Sequence, residues 1–420
     1  MDGVGGIGWS GPSRWQSPSV ERERLGWEMM NSTGTTAYVA LVGPHAGMTI
    51  NFRGPLIDDL VGIGSKVAVL APDFTDETRG AIAAMGAAAH DYPLARTGLN
   101  PLADLGALYA LWRWFRRERP AVAFTFAAKA VVWGTLAAAA AGVPNRVAMI
   151  EGLGYAFIPS SGLKQRVVRW VLVQLYRLAF RLAHTVVVLN PDDARDLSRW
   201  CNLKADKTVL LGGIGVALDE WRPPSRRPGS PITFTMMSRI LREKGVFEFL
   251  KAAEQVKARH PEVRFWLLGS VDCNPGGIQP DDLQPWVESG IVTWPGQVDV
   301  KPYLAETSVF VLPSFYREGV PRSTQEAMAM GCAVITTDAP GCRDTVAEGV
   351  NGFMVPIQDV DALVAAMERF IAQPDLIEQM GRESRRLAEQ RFDATRANRR
   401  LIEVMFKTDP VHAPGETVPG

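Results

Sequence analysis

The chain has 420 residues, of which 47% are hydrophobic and 21% are charged, which is enough to build two sizeable cores of a globular protein. Lysine plus arginine and aspartate plus glutamate both number 45, so no overall field favours a nucleic-acid partner. The four cysteines show no C-x-x-C spacing, which predicts neither a disulfide framework nor a zinc site and fits a reducing cytoplasm. They are Cys201, Cys273, Cys332 and Cys342.

No segment is predicted to cross a membrane. The longest stretch nearly free of charge, residues 130–143, is rich in Ala and Gly and well below the roughly 20 apolar residues that span a bilayer. The N-terminus also lacks the basic segment and apolar block of a signal peptide, so we expect a cytoplasmic protein.

Residues 1–35 are predicted to be a disordered extension, because they are rich in Gly, Ser, Trp and charge without any period. Gly3, Gly5 and Gly8 spell the dinucleotide motif G-x-G-x-x-G there. No predicted strand precedes this motif and no helix follows it, so the match is interpreted as chance and a nicotinamide dehydrogenase is disfavoured.

Strands and helices then alternate. A strand at 36–42 leads through a glycine-containing loop to an amphipathic helix at 50–60 and a strand at 67–70, the order of a nucleotide-type α/β unit. Because helix N-termini bind anions, Gly47 is a candidate phosphate contact, and a purely structural turn fits equally well. Further helices at 102–117 and 131–141 and strands at 121–125, 146–150 and 185–189 predict a parallel sheet with right-handed crossovers.

The segment 163–183, LKQRVVRWVLVQLYRLAFRLA, is a predicted basic amphipathic helix without any acid. Its cations are Lys164, Arg166, Arg169, Arg177 and Arg181. Such a helix can lie in an anionic membrane interface. Alternatively, its apolar face packs on the sheet and its arginines are merely solvated.

A segment dense in Pro, Gly, Ser and Arg, residues 222–231, predicts a linker to a second α/β domain. That domain opens with strand 232–237, a helix through 246–256 and strand 263–268. The loop before the helix holds Arg239, Arg242 and Lys244, followed by Gly245. Cations at a helix N-terminus suit a diphosphate, although three cations in a loop are also common on surfaces.

Two carboxylates stand out in the segment 310–337, which reads as strand, loop, short helix and strand. Glu318 falls in the loop beyond a strand end, where ligands bind in open α/β sheets, and Glu326 falls in the helix. Together they suit a ligand rich in hydroxyl groups. In the alternative interpretation, Glu326 pairs with Arg322 at the i, i+4 spacing and Glu318 favours the positive end of the helix.

Asp359 and Asp361 spell D-x-D, a spacing that can bind a metal ion in some enzymes. They precede a helical run at 362–371, where acids are ordinary first-turn residues, so no metal role is predicted.

Several blocks of the sequence resemble family-four retaining glycosyltransferases, in particular bacterial enzymes that extend lipid-linked glycans. REGVPRSTQEAMAMGCAVITTDAPGCRD and EGVNGFMVP resemble the donor-site signature with its E-x7-E motif, and SRILREKG resembles the G-R-L-x-x-x-K-G block. NPLADLGALYALWRWFRRERP, AAGVP and GLGYAF resemble the acceptor-side domain. The resemblance covers most of the chain and implies an α/β fold with two Rossmann-like parallel-sheet domains facing across a cleft, called GT-B.

The resemblance also implies site residues. Glu318 would lie against the donor sugar, Glu326 would bind the ribose, and Arg239 and Lys244 would bind the diphosphate, with Ser238 in place of the usual glycine. The other donor-binding residues implied are Gln297, Gly319, Val320 and Pro321, and Gly47 joins them as the candidate phosphate contact at a helix N-terminus. On the acceptor side, Lys129 and Tyr155 would face the cleft, although packing or surface roles fit them equally.

The resemblance implies a retaining, metal-independent hexosyltransferase without a cofactor. It would move a sugar from a nucleotide-diphosphate sugar, expected to be a UDP-sugar, to a lipid-linked saccharide in exopolysaccharide, lipopolysaccharide or related glycan synthesis. It is expected at the cytoplasmic face of the inner membrane, with peripheral contact through 163–183. The alternatives are a nucleotide-sugar epimerase of similar architecture and a non-catalytic nucleotide-sugar-binding subunit.

The domain boundaries follow from the same patterns. They are a disordered extension (1–35), an acceptor-side domain (36–221), a linker (222–231), a donor domain (232–391), a helix returning to the first domain (392–407) and a disordered tail (408–420).

Overall fold

The computed structural model describes residues 37–94, 101–158, 162–224, 231–271 and 277–406. The predictions for the extension 1–35 with its G-x-G-x-x-G motif, for most of the linker 222–231, for Cys273 and for the tail 408–420 therefore lie outside the described residues.

The first sheet contains seven parallel strands in the order β3-β2-β1-β4-β5-β6-β7. They are β1 (Tyr38–Val42), β2 (Lys66–Ala71), β3 (Ala88–Asp91), β4 (Val122–Phe126), β5 (Asn145–Ile150), β6 (Thr185–Val188) and β7 (Thr208–Leu210). The central strands β1 and β4 are apolar along nearly their whole length because helices cover both faces of the sheet.

Six helices accompany this sheet: α1 (Ala46–Gly62), α2 (Asp76–Ala84), α3 (Pro101–Glu118), α4 (Ala128–Ala141), α5 (Leu163–Leu182) and α6 (Pro191–Cys201). Local signals set the ends of α6. The Asn190 side chain accepts a hydrogen bond from the Asp193 amide, Pro191 occupies the first turn, and Asn202 ends the helix in the left-handed conformation.

The second sheet contains six parallel strands in the order β10-β9-β8-β11-β12-β13. They are β8 (Thr233–Met237), β9 (Arg264–Leu268), β10 (Thr293–Gly296), β11 (Val309–Leu312), β12 (Ala333–Thr337) and β13 (Gly352–Val355). The helices of this part of the chain are α7 (Val246–Arg259), α8 (Gln284–Glu288), α9 (Lys301–Glu306), α10 (Arg322–Ala329), α11 (Val360–Ala372) and α12 (Asp375–Arg391), and a last helix, α13 (Ala394–Phe406), follows them.

In each sheet the strand order reverses at one point, which lies between β1 and β4 in the first sheet and between β8 and β11 in the second. Ligands of open α/β sheets bind beyond the carboxyl ends of the strands at such a switch point. This confirms the predicted fold of two Rossmann-like parallel-sheet domains. A ligand is therefore expected to bind near the loops after β1, β8 and β11.

Helix α13 lies against the first sheet although it follows the second in sequence. The Asn145 side chain donates to the Met405 carbonyl over 2.6 Å, and the Asn398 side chain donates to Asp59 over 2.9 Å. The end of the chain thus fastens the two sheets together.

None of the described helices combines the length and the apolar character that crossing a bilayer requires.

Candidate active site

A buried ion pair occupies the switch point of the second sheet. Lys244, at the end of the loop after β8, contacts a carboxylate oxygen of Glu318, in the loop after β11. Their side chains are only 12% and 10% exposed. The Ser314 hydroxyl donates to the same Glu318 oxygen over 3.0 Å, and the Lys244 ammonium lies 5.2 Å from the centre of the Tyr316 ring. A cation and a carboxylate are therefore held together, largely out of water, where a ligand of this fold binds.

The two loops are bonded to each other through their backbones. The Phe315 amide donates to the Glu243 carbonyl over 2.9 Å. Between them, Gly245 has φ +80°, and a Cβ atom there would lie 2.1 Å from the Pro313 carbonyl oxygen. Only glycine fits this position, so the sequence Lys244-Gly245 fixes the lysine against the second loop.

Glu326 on α10 forms a second ion pair. Its carboxylate accepts from the Arg322 guanidinium over 3.0 Å, as the i, i+4 spacing predicts. Burial raises the pKa of Glu326, and the neighbouring Arg322 opposes that rise. Arg322 also donates to the Asn51 carbonyl over 2.8 Å and lies over the Phe52 ring, so it links α10 to α1.

The loop holding Glu318 touches the first domain at Gly319. A Cβ atom on Gly319 would lie 2.6 Å from the Glu151 carbonyl oxygen and 2.7 Å from the Leu189 side chain. The buried Asn190 side chain donates to the Gly319 carbonyl over 2.6 Å and to the Glu318 carbonyl over 3.0 Å. The backbone around Glu318 is therefore positioned by both domains.

Substitution of Gly319 by alanine should disturb this contact. We expect a loss of about 1–3 kcal/mol in the free energy of unfolding, because the added methyl group overlaps neighbouring atoms, and at least tenfold slower turnover, because the Glu318 loop must shift. Thermal unfolding and steady-state assays measure the two effects.

Gly80→Ala is the matched control, since a Cβ atom on this α2 residue meets nothing within 4 Å. It should raise stability by about 0.5–1 kcal/mol and leave turnover unchanged. Equal behaviour of the two variants would contradict the close contact at Gly319.

A buried cation and its partly exposed carboxylate partner in the first domain were not predicted from the sequence. Arg53 on α1, 2% exposed, pairs with Glu151, which follows β5. Burial lowers the pKa of Arg53, and Glu151 partly offsets this. The Arg53 Nε and one Glu151 oxygen are buried without a hydrogen-bond partner among the described residues. Glu151 lies directly beyond the carboxyl end of β5. This position in the sequence could have marked it as a candidate site residue.

Ionic contacts also join α6 to the second domain. Arg317 donates to Asp193 over 2.9 Å and to Asp196 over 2.6 Å, and Arg343 donates to Asp192 over 3.0 Å. Burial raises the pKa of Asp193 to about 6, although Arg317 acts in the opposite direction. Acidic residues in the first turn, as in α6, are typical of a helix start. The sequence does not indicate that they pair with Arg317 and Arg343.

The remaining predicted donor residues are spread along the same strand ends. Val320 and Pro321 are buried between Glu318 and α10, Gly47 lies in the first turn of α1, and Arg239 and Gln297 are exposed beyond β8 and β10. Of the predicted catalytic residues, the structure brings Lys244 and Glu318 into direct contact.

The predicted acceptor-side residues occupy different settings. Lys129 donates to Asp104 over 3.2 Å, and Asp104 is 4% exposed. The Tyr155 side chain is 56% exposed. Its turn lies beside the donor loop, because the Gly154 amide donates to the Arg317 carbonyl over 3.1 Å. The roles of Lys129 and Tyr155 stay predictions.

Asp359 has a structural role, since its side chain accepts from the Ala362 amide over 2.9 Å and caps α11. This agrees with the interpretation of D-x-D as a helix start.

Two Rossmann-like domains that meet at their strand ends, with a cation–carboxylate pair at the switch point, have the architecture called GT-B. Comparisons with known proteins agree. Residues 231–373 match the family model described as glycosyl transferases group 1, and residues 55–213 match the glycosyl transferase 4-like domain.

The N,N'-diacetylbacillosaminyl-diphospho-undecaprenol alpha-1,3-N-acetylgalactosaminyltransferase of Campylobacter jejuni is 32% identical over 323 residues, which are 73% of this chain and 82% of that protein. The chain therefore belongs to the group 1, family-four type of glycosyltransferases, and it is a glycosyltransferase.

Two further comparisons are more distant. An Escherichia coli UDP-Gal:alpha-D-GlcNAc-diphosphoundecaprenol alpha-1,3-galactosyltransferase is 22% identical, over 64% of this chain and 71% of that protein. The structure of Anabaena HepE in complex with UDP superposes with a TM-score of 0.69 at 17% identity, covering 87% of this chain and 98% of that one. The latter supports the fold alone.

Proposed function

We propose that this glycosyltransferase moves one sugar from a UDP-sugar to a lipid-linked saccharide, with retention of configuration and without a metal ion. The observation that carries the proposal is the buried Lys244–Glu318 pair at the switch point. Both named relatives transfer sugars, and their names place the acceptor on undecaprenol diphosphate. This favours transfer over the epimerase and the binding-subunit alternatives.

The diphosphate of the donor needs fixed positive charge as it leaves. Lys244 supplies a desolvated ammonium group, and the N-terminus of α7 begins two residues later. Arg239, exposed in the same loop, supplies a second cation. Charges preorganised in this way stabilise a developing anion by about 2–4 kcal/mol each.

Glu318 and Glu326 bind the sugar and the ribose of the donor. Glu318, held by Lys244 and Ser314, lies against the sugar and favours the positive charge that develops on its ring. Glu326 accepts from the ribose hydroxyls. The C1–O bond to the diphosphate breaks while the acceptor oxygen bonds to C1 on the same face. The acceptor proton passes to the departing phosphate oxygen, so no covalent enzyme intermediate forms.

A thermal-shift panel tests the donor site directly. A ligand at about 100 times its dissociation constant adds about 2.7 kcal/mol to the free energy of unfolding. We expect UDP to raise the melting temperature, with or without a chelator, and ADP and NAD to leave it unchanged. A shift that the chelator abolishes would contradict a metal-independent site, and a shift with GDP alone would contradict the choice of UDP.

The acceptor lipid requires contact with a membrane, and α5 carries a surface suited to it. Leu163, Val167 and Trp170 are spaced along one face of the helix and are 73%, 51% and 65% exposed. Two of the arginines have other roles: Arg169 lies over the Trp200 ring, and Arg177 donates to the Trp200 carbonyl over 2.9 Å. We propose that this exposed apolar row of α5 contacts the cytoplasmic face of the membrane.

Charged residues in this row should release the protein from membranes. The double variant Val167→Glu/Trp170→Glu should lower the fraction that sediments with vesicles at least tenfold, because two apolar side chains no longer enter the interface. The control is Val350→Glu/Ile357→Glu, which changes apolar residues of the second domain that are 41% and 50% exposed. Equal sedimentation of both variants would contradict the assignment.

A further inference from the structure

An open cavity of about 800 Å³ lies between the second half of α5, the end of α6 and the turn that follows α6. Five of the residues that line it are cations, and none of its lining residues is an acid. The cations are Arg177, Arg181, Arg199, Lys204 and Lys207. The cavity belongs to the first domain and shares no residue with the donor site.

Two of these cations are structural. The Lys207 ammonium donates to the Ala183 carbonyl over 2.7 Å and to the Arg181 carbonyl over 3.1 Å, which caps the end of α5. Arg177 donates to the Trp200 carbonyl and so fastens α5 to α6. These bonds fix the walls of the cavity.

The other three cations have no such role. Within the described ranges, the side chains of Arg181, Arg199 and Lys204 form no hydrogen bond or ion pair, and all three are exposed. Asp206, the residue before Lys207, offsets part of this positive charge. Burial lowers the pKa of Lys207, Asp206 opposes this, and Lys204 and Arg146 add to it. An anion in the cavity would relieve this repulsion.

Exposed cations are common on protein surfaces, so charge alone does not identify a ligand. The position of the cavity on α5 indicates which anion it binds. Residues 163, 167, 170, 174, 178 and 181 follow one face of α5 at steps of three and four. The first half of this face is the exposed apolar row of α5, and Leu178, 46% exposed, continues it to the rim of the cavity. Apolar side chains and a basic cavity along one helix face suit the boundary between lipid tails and phosphate groups.

We propose that this basic cavity binds the phosphate group of an anionic lipid headgroup. The inference rests on the proposed membrane contact of α5 but concerns a site separate from donor binding and transfer. Its role is to select anionic membranes and to hold the α5 face against them.

The test compares the triple variant Arg181→Gln/Arg199→Gln/Lys204→Gln with wild type in flotation assays on vesicles. Each basic residue near an anionic surface contributes roughly fivefold to binding, so we expect about a hundredfold weaker binding to vesicles with 30% phosphatidylglycerol. The matched control is Arg113→Gln/Lys251→Gln/Arg399→Gln, which removes three exposed cations away from the cavity. An equal loss in both variants would overturn the site in favour of diffuse attraction.

A soluble ligand separates the cavity from the membrane surface. Dihexanoyl-phosphatidylglycerol, below its micelle concentration, should bind wild type saturably and raise its melting temperature, and the triple variant should not respond. Dihexanoyl-phosphatidylcholine is the neutral control. Inorganic phosphate should compete only at much higher concentration. If phosphate binds as tightly as the lipid, or if the triple variant still responds to the lipid, the proposal is wrong.

The same variant separates this inference from the proposed function. Its UDP-induced thermal shift and its transfer to a short-chain, water-soluble acceptor should equal those of wild type. If wild type binds the lipid through the cavity but transfers no sugar, the proposed function fails and the lipid site stands. If transfer is normal and the triple variant binds anionic vesicles like wild type, the lipid site alone fails.

Discussion

Replacement of Lys244 by methionine should reduce sugar transfer by two orders of magnitude or more. Removal of one preorganised charge that stabilises a developing anion costs about 2–4 kcal/mol in the transition state, and 1.4 kcal/mol corresponds to a factor of ten in rate. The effect should appear in kcat more than in KM, since the diphosphate gains charge as it leaves. Steady-state release of UDP in the presence of acceptor measures it.

The buried pair complicates this variant, because methionine leaves Glu318 without its partner. Breaking a buried ion pair can cost 3–5 kcal/mol of stability, so a lower melting temperature is expected alongside the lost activity. The double variant Lys244→Met/Glu318→Gln removes both charges. It should regain much of the melting temperature and none of the activity, which separates catalysis from folding.

Arg242→Met is the matched control. Arg242 belongs to the same short turn as Lys244, and its guanidinium lies over the Phe247 ring. We expect transfer within twofold of wild type. If Arg242→Met and Lys244→Met lose equal activity, the loop acts through general positive charge and the assigned role of Lys244 is incorrect.

Substitution of Glu326 by glutamine should weaken donor binding by roughly ten- to a hundredfold, the range expected when hydrogen bonds to a charged group lose that charge. The KM for the UDP-sugar should rise with a smaller change in kcat, because the ribose contacts are the same in ground and transition states. A second measurement compares the UDP-sugar with a donor that lacks the ribose 2′-hydroxyl. Wild type should discriminate against it, and Glu326→Gln should not.

Arg322→Met decides between the two interpretations of Glu326. This variant removes the partner of Glu326 and the bond to the Asn51 carbonyl while it keeps the carboxylate. If Glu326 binds ribose, Arg322→Met should retain discrimination between the two donors. If Glu326 serves only its pair with Arg322, both variants should lose stability alike and neither should change discrimination.

The segment 310–337 shows how far sequence reasoning reaches. Its apolar runs became β11 and β12, and Pro321 and Gly331 mark the ends of α10. These signals are local, because proline fixes φ and Gly331 has φ +70°, which other residues rarely adopt. The loop position of Glu318 beyond a strand end followed from the same signals.

The contacts that complete the site were beyond such reasoning. Glu151 is 98 residues from Arg53, and Asp193 is 124 residues from Arg317, so their pairing depends on how separate elements pack. Arg53 falls within the predicted helix 50–60, and packing of that helix buries it. The open alternatives for Lys129 and Tyr155 have the same origin.

The contacts between glycines of the two domains could not be predicted from the sequence either. Gly152, in the GLGY turn, would place a Cβ atom 2.6 Å from the Gly319 amide nitrogen. The sequence shows a glycine in a turn at each position, but only the structure shows that the two turns meet.

Product analysis separates sugar transfer from epimerisation and from binding alone. The protein is incubated with a labelled UDP-sugar, a chelator and a short-chain prenyl-diphosphate saccharide, and the products are examined by mass spectrometry and NMR. We expect an acceptor extended by one sugar, in the anomeric configuration of the donor, at a rate that the chelator does not change. An epimerised donor formed without acceptor, or binding of UDP without turnover across a broad acceptor panel, would contradict it.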